Sequence, residues 1–140
     1  MSQFMPLPVG SHRGPPPMVW WIIWASLIAG QCAIYVALGR GPTEAGAANP
    51  FENLVGLVPL FVSIIVRWLV LPRYTDRGRA FVTFIVGCSL AEACTILGIF
   101  LGGPYRDDLF VLGVLGVMQF APFFLKRLGE PKPQGFIPNN

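Results

Sequence analysis

Apolar residues gather into four long runs along the chain, and polar residues fall between them. The runs cover Met18–Leu38, Pro50–Leu71, Ala80–Gly102 and Leu109–Leu125. A helix needs about 20 mostly apolar residues to cross a bilayer. All four runs approach or exceed that length, the last being the shortest. The pattern predicts an all-α membrane protein, a bundle of four transmembrane helices spanning 18–128. A tail, 1–17, precedes the bundle, and a polar, proline-rich tail, 129–140, follows it.

Punctuation between the runs fits helix ends. Asn49 is placed to cap the second helix, with Pro50 in its first turn and Glu52 three residues after the cap. Pro72 closes that helix, and Gly102-Gly103-Pro104 closes the third. Asp107 and Asp108 suit the N-terminus of the fourth, where the helix dipole favours carboxylates. Pro59 and Pro122 lie inside runs and predict kinks. Trp20, Trp21 and Trp24 cluster where an interfacial aromatic belt would sit. The first run is too long for the apolar core of a signal peptide. Gln31 stands where a lipoprotein box needs a small residue before Cys32.

Charge sets a direction. Arg13, Arg73, Arg77, Arg79, Lys126, Arg127 and Lys132 flank one side of the expected spans, and only Arg40 and Arg106 flank the other. Seven against two is a positive-inside bias, which predicts both termini and the 72–79 loop on the cytoplasmic side of an inner membrane. Charged residues make up only 12% of the chain, about half the usual share of a soluble domain. The basic residues form no nucleic-acid-binding stripe. The expected surroundings are therefore the lipid bilayer and other transmembrane helices, either in a homo-oligomer or in a larger complex.

Little conventional chemistry is on offer. The lone histidine, His12, lies in the N-terminal tail, and no nucleophile motif, phosphate loop or metal-spaced cluster occurs. No enzyme activity, metal or cofactor is implied. Cys32, Cys88 and Cys94 sit in apolar runs and read as buried thiols rather than as a disulfide or metal site.

Two charges remain inside the runs. Arg67 lies five residues before Pro72, about 7 Å from its helix end. It can snorkel beside Trp68 as an anchor, or serve a buried acid. Glu92 is the thirteenth residue of a 23-residue run and falls near the bilayer centre. A glutamate cannot snorkel from there, so it must be neutral or meet a cation, a donor or water. It can therefore tie helices together or exchange a proton or cation. The two side chains differ by roughly 10 Å in depth, so a direct pair would need both to stretch. On a helical wheel Gly87, Ala91, Cys94, Gly98 and Gly102 form one small-residue stripe suited to close helix packing, with Glu92 at its edge. Gln31 and Gln119 are further polar groups within the runs.

The segment Ala91-Glu92-Ala93-Cys94-Thr95-Ile96-Leu97-Gly98-Ile99-Phe100-Leu101 resembles the carboxylate helix of rotary ATP synthase proteolipids, the c-subunits. In that family a midmembrane acid follows a small residue, and an Ile-x-Gly-apolar run comes shortly after. The resemblance implies that Glu92 binds a proton or sodium ion. It covers about a dozen residues. The preceding helix departs from the family in lacking closely spaced glycines and in carrying Pro59 and Arg67. Two functions follow as expectations. One is a structural or accessory subunit of a membrane complex. The other is a proton- or cation-handling protein that uses Glu92.

Overall fold

A computed structural model describes residues 14–39, 41, 55–101 and 103–129, with the side chains of 127 and 129 left aside. Every regular element among them is helical. Helix α1 runs Pro17–Gly39, its last turn, Tyr35–Gly39, being π-helical. Helix α2 covers 57–73 as an α stretch (Leu57–Ile65), a π turn (Val66–Val70) and a 3-10 turn (Leu71–Arg73). Helix α3 runs Arg77–Leu101. Helix α4 runs Arg106–Met118, and a 3-10 segment, Pro122–Gly129, follows it. Three of the helical stretches, Pro17–Gly39, Arg77–Leu101 and Arg106–Lys126, are long and apolar enough to cross a membrane.

Local chemistry explains where these boundaries depart from the hydrophobic runs. Asp76 starts α3 three residues before its apolar stretch, because its carboxylate accepts the Arg79 backbone N–H at 2.9 Å. Gly103 takes φ 84°, a conformation glycine adopts freely, and turns the chain into α4. Pro59 falls in the first turn of α2 as described, where a missing N–H has no intrahelical partner to lose. The departure from α geometry comes later, at Val66–Val70. Pro122 interrupts the fourth run, so α4 is shorter than the run that encodes it. Asn49, Pro50, Glu52, Gly102 and most of both tails lie outside the described residues.

Helices α3 and α4 pack closely and antiparallel. A Cβ on Gly98 would come 2.6 Å from Leu109 Cβ, and one on Gly116 would come 2.9 Å from Ala91 Cβ. Gly113 lies against Thr95, and Gly87 against the Phe120 ring. The pairs 98/109, 95/113, 91/116 and 87/120 hold one register, stepping by a turn along each helix. Glycine at these crossings lets the backbones approach within reach of dispersion contacts, the main source of helix association in lipid. Helix α2 joins on the same side of α3 through Ser63, whose hydroxyl donates to the Gly87 carbonyl at 2.8 Å.

Helix α1 closes the bundle along α3 and α4. Trp20 is fully buried and packs on Phe81, Phe84 and Phe124 at centroid distances of 4.9, 5.0 and 5.7 Å. It is a core side chain rather than a member of an exposed belt, although Trp21 beside it is exposed. Trp20 and Phe124 lie at one end, as do Gly14 and Arg77. At the other end Tyr35 stacks on Phe110 at 4.0 Å and donates to Asp107 at 2.8 Å. The outer faces carry large apolar side chains, among them Val58, Phe61 and Trp68 of α2 at 60, 63 and 65% exposure. So broad an apolar surface suits contact with lipid hydrocarbon.

Candidate functional site

Three features bear on chemistry inside the bundle: the end of α4, a buried polar pair between α1 and α3, and Glu92 beside that pair.

The end of α4 frees backbone carbonyls in an apolar setting. Pro122 has no N–H to offer, and the Phe123 N–H turns back to the Ala121 carbonyl at 2.7 Å. The Gln119 carbonyl therefore lacks its usual intrahelical donor, and Arg67 Nε donates to it at 2.7 Å. Trp24 Nε1 donates at 3.0 Å to the Val117 carbonyl, which also accepts the Phe120 N–H. The Arg67 guanidinium lies over the rings of Phe124, Trp68 and Phe120, at 4.9, 5.5 and 5.9 Å from their centroids. Each ring face attracts the cation. Arg67 is thus half-buried inside an aromatic enclosure, directed at the broken end of α4.

The buried polar pair is Gln31 and Thr95, both fully buried. The Thr95 hydroxyl donates to Gln31 Oε1 at 3.5 Å, a long bond. Gln31 Nε2 is buried and has no partner among the described residues, and the same holds for Gln119 Nε2. An unmade amide hydrogen bond in such a place is expensive.

Glu92 is the sixteenth of the 25 residues of α3, one turn from both Cys88 and Thr95. It is half-buried. The small-residue face of α3, with Gly87, Ala91, Cys94 and Gly98, is buried against α2 and α4. Glu92 flanks that face on the α1 side, where Trp20 touches Phe81 and Gln31 touches Thr95. Among the described residues its carboxylate makes no hydrogen bond and no ion pair. Arg67 and Glu92 are not within ion-pair distance of each other. Cys88 and Cys94 are buried free thiols, whereas Cys32 is exposed on the outer side of α1 and departs from the buried reading. No group of three or more His, Cys, Asp or Glu among the described residues is placed to hold a metal ion.

Several of these contributors carry weak signals in the sequence. Gly113 and Gly116 have small-residue spacing, but only the α3 stripe stood out beside the acid. Trp24 reads in the sequence as part of an interfacial belt rather than as a donor to α4, and Ser63 gave no signal, because a serine within a span is common. No protein-family model, curated protein or solved structure matches the chain.

Proposed function

We propose that this chain is a small multi-pass subunit of a larger membrane complex, with α2 as its fourth span and both ends facing the cytoplasm. One observation carries the reading. Glu92, midway along a membrane-length helix, is half-buried and has no hydrogen bond or ion pair among the described residues, while the small-residue face beside it is already filled by the chain's own helices. A carboxylate left so at midmembrane needs a partner from outside the fold. The orientation is supported by Arg73, Arg77, Arg79 and Lys126, which flank the end where Trp20 meets Phe124, whereas Arg106 flanks the other. Native mass spectrometry of the full chain, extracted gently from its own membrane, tests the reading. A stable hetero-assembly is expected. A chain that emerges only as a monomer overturns it.

A second reading is favoured by a separate observation. Thr95, one turn from Glu92 along α3, meets the buried Gln31 amide, whose Nε2 is unpartnered among the described residues. Together with the proteolipid-like segment, this supports proton or cation handling by Glu92. The test is reaction of Glu92 with a hydrophobic carbodiimide. Ion handling requires labelling that depends on pH and is slowed by sodium if sodium is the ion. Labelling indifferent to both removes this reading.

A further inference from the structure

The packing of α1, α3 and α4 locates the surface on which Glu92 opens. Around α3, Ala91 and Gly98 meet α4, Phe84 and Thr95 meet α1, and Glu92 comes next in the same direction of turn. At 100° per residue it lies about 60° beyond Thr95. Around α1, Trp24 and Tyr35 meet α4, while Trp20 and Gln31 meet α3. Leu27 and Gly30 follow on the side away from α4. The matched levels, Trp20 with Phe81 and Gln31 with Thr95, show that α1 and α3 run parallel, which sets Glu92 between the depths of Leu27 and Gly30. These residues border one outer seam between α1 and α3. Gly30 opens onto free space, since a Cβ there would meet nothing within 4 Å. Ser89, one turn below Glu92 on the outer side, is exposed.

We infer that this seam seats a transmembrane helix of another protein that carries a lysine or arginine near its middle, the cation meeting Glu92. The inference rests on the proposed complex membership and specifies its contact. Charge complementarity selects the occupant. An acid in the apolar belt is stabilised by an opposite charge far more than by lipid. Arg67 is directed to Gln119 and the rings, and Arg106 lies at the bundle end with Asp107 and the Gly41 carbonyl. A second copy of this chain would bring another acid to the same depth. The open space at Gly30 gives an incoming helix room to approach closely.

The experiment uses the full chain in its own membrane, with a photo-crosslinking amino acid at Ser89 and peptide mapping of the adduct. The expected adduct joins Ser89 to an apolar segment bearing a central Lys or Arg. Glu92→Leu is expected to lower its yield at least about tenfold, and Glu92→Asp to retain most of it. Gly30→Leu projects a side chain into the seam from a position where a Cβ meets nothing within 4 Å, and is expected to lower the yield as well. Each variant is first checked for unchanged melting in detergent, since the Glu92 carboxylate makes no polar contact among the described residues and a Cβ at Gly30 would meet nothing within 4 Å. An adduct with a second copy, or with a segment lacking a basic residue, overturns the inference while leaving complex membership standing. A hetero-assembly that survives Glu92→Leu and Gly30→Leu with undiminished yield does the same. A chain that is only monomeric in its own membrane fails both.

Discussion

Arg67 donates its Nε hydrogen to the backbone carbonyl of Gln119 at 2.7 Å, closing the end of a helix that Pro122 has broken. The arginine and the proline therefore belong to one device. Without the guanidinium, a carbonyl in an apolar setting would lose its donor. A hydrogen bond with a charged donor contributes about 1.5–3 kcal/mol. We expect Arg67→Met to destabilise the bundle by an amount in that range, and Arg67→Lys to recover part of it. Equilibrium unfolding in mixed micelles checks this. Equal stability of Arg67→Met and wild type would rule the capping role out.

The antiparallel contact of α3 and α4 depends on Gly113. A Cβ there would press on the Thr95 hydroxyl and come 3.0 Å from the Thr95 nitrogen and 3.1 Å from the Ala91 carbonyl oxygen. Backbone cannot step aside as a flexible side chain can. Overpacking of this kind costs about 1–3 kcal/mol. We expect Gly113→Ala to fall in that range and Gly113→Val to exceed it. Gly30→Ala, facing open space inside α1, serves as the control and should not lower stability, and gains up to about 1 kcal/mol from helix propensity. Comparable losses at Gly30 and Gly113 would contradict the packing.

The α3 helix was the most legible part of the fold, because its apolar run, its acid and its small-residue stripe lie in one contiguous segment. The run at 109–125 was legible as apolar but not as an interrupted helix. Whether Pro122 kinks or stops a helix depends on what meets the freed Gln119 carbonyl, and its donor, Arg67, comes from a distant segment. For the same reason Trp20 read as an interfacial residue. Its neighbours Phe81, Phe84 and Phe124 are brought to it only by tertiary packing. At the candidate site, the place of Glu92 well inside α3 was readable by counting along the chain. The proximity of Gln31 to Thr95 was not, since no local pattern relates residues 64 apart.

Ser63 offers a calibration of polar contacts in the same bundle. Its hydroxyl donates to the Gly87 carbonyl, which is already part of the α3 backbone ladder. Such interhelical bonds in membranes average only about 0.6 kcal/mol. We expect Ser63→Ala to cost about that much, well below Arg67→Met. The removed oxygen leaves the carbonyl with its helical donor, so no unsatisfied group remains. A loss of several kcal/mol in the same unfolding assay would mean that Ser63 has a role beyond this bond.

The four tryptophans separate the inside of the bundle from its lipid-facing side. Trp20 is fully buried, with its indole N–H donating to the Pro15 carbonyl at 3.3 Å, while Trp68 is 65% exposed on α2. A quencher fixed to lipid acyl chains reaches only indoles that touch lipid. Single-tryptophan variants, with the other three changed to Phe, are to be reconstituted in vesicles containing brominated lipid. We expect Trp68 to be quenched severalfold more than Trp20, with Trp21 also quenched because it lies on the outer side of α1. Truncating Trp20 to Ala should in turn destabilise the bundle by about 3 kcal/mol, the lower end for a large aromatic, because lipid supplies little of the transfer term that water supplies to soluble cores. Equal quenching of Trp20 and Trp68 would place Trp20 at the lipid surface, and the aromatic core built on Phe81, Phe84 and Phe124 would then have to be rejected.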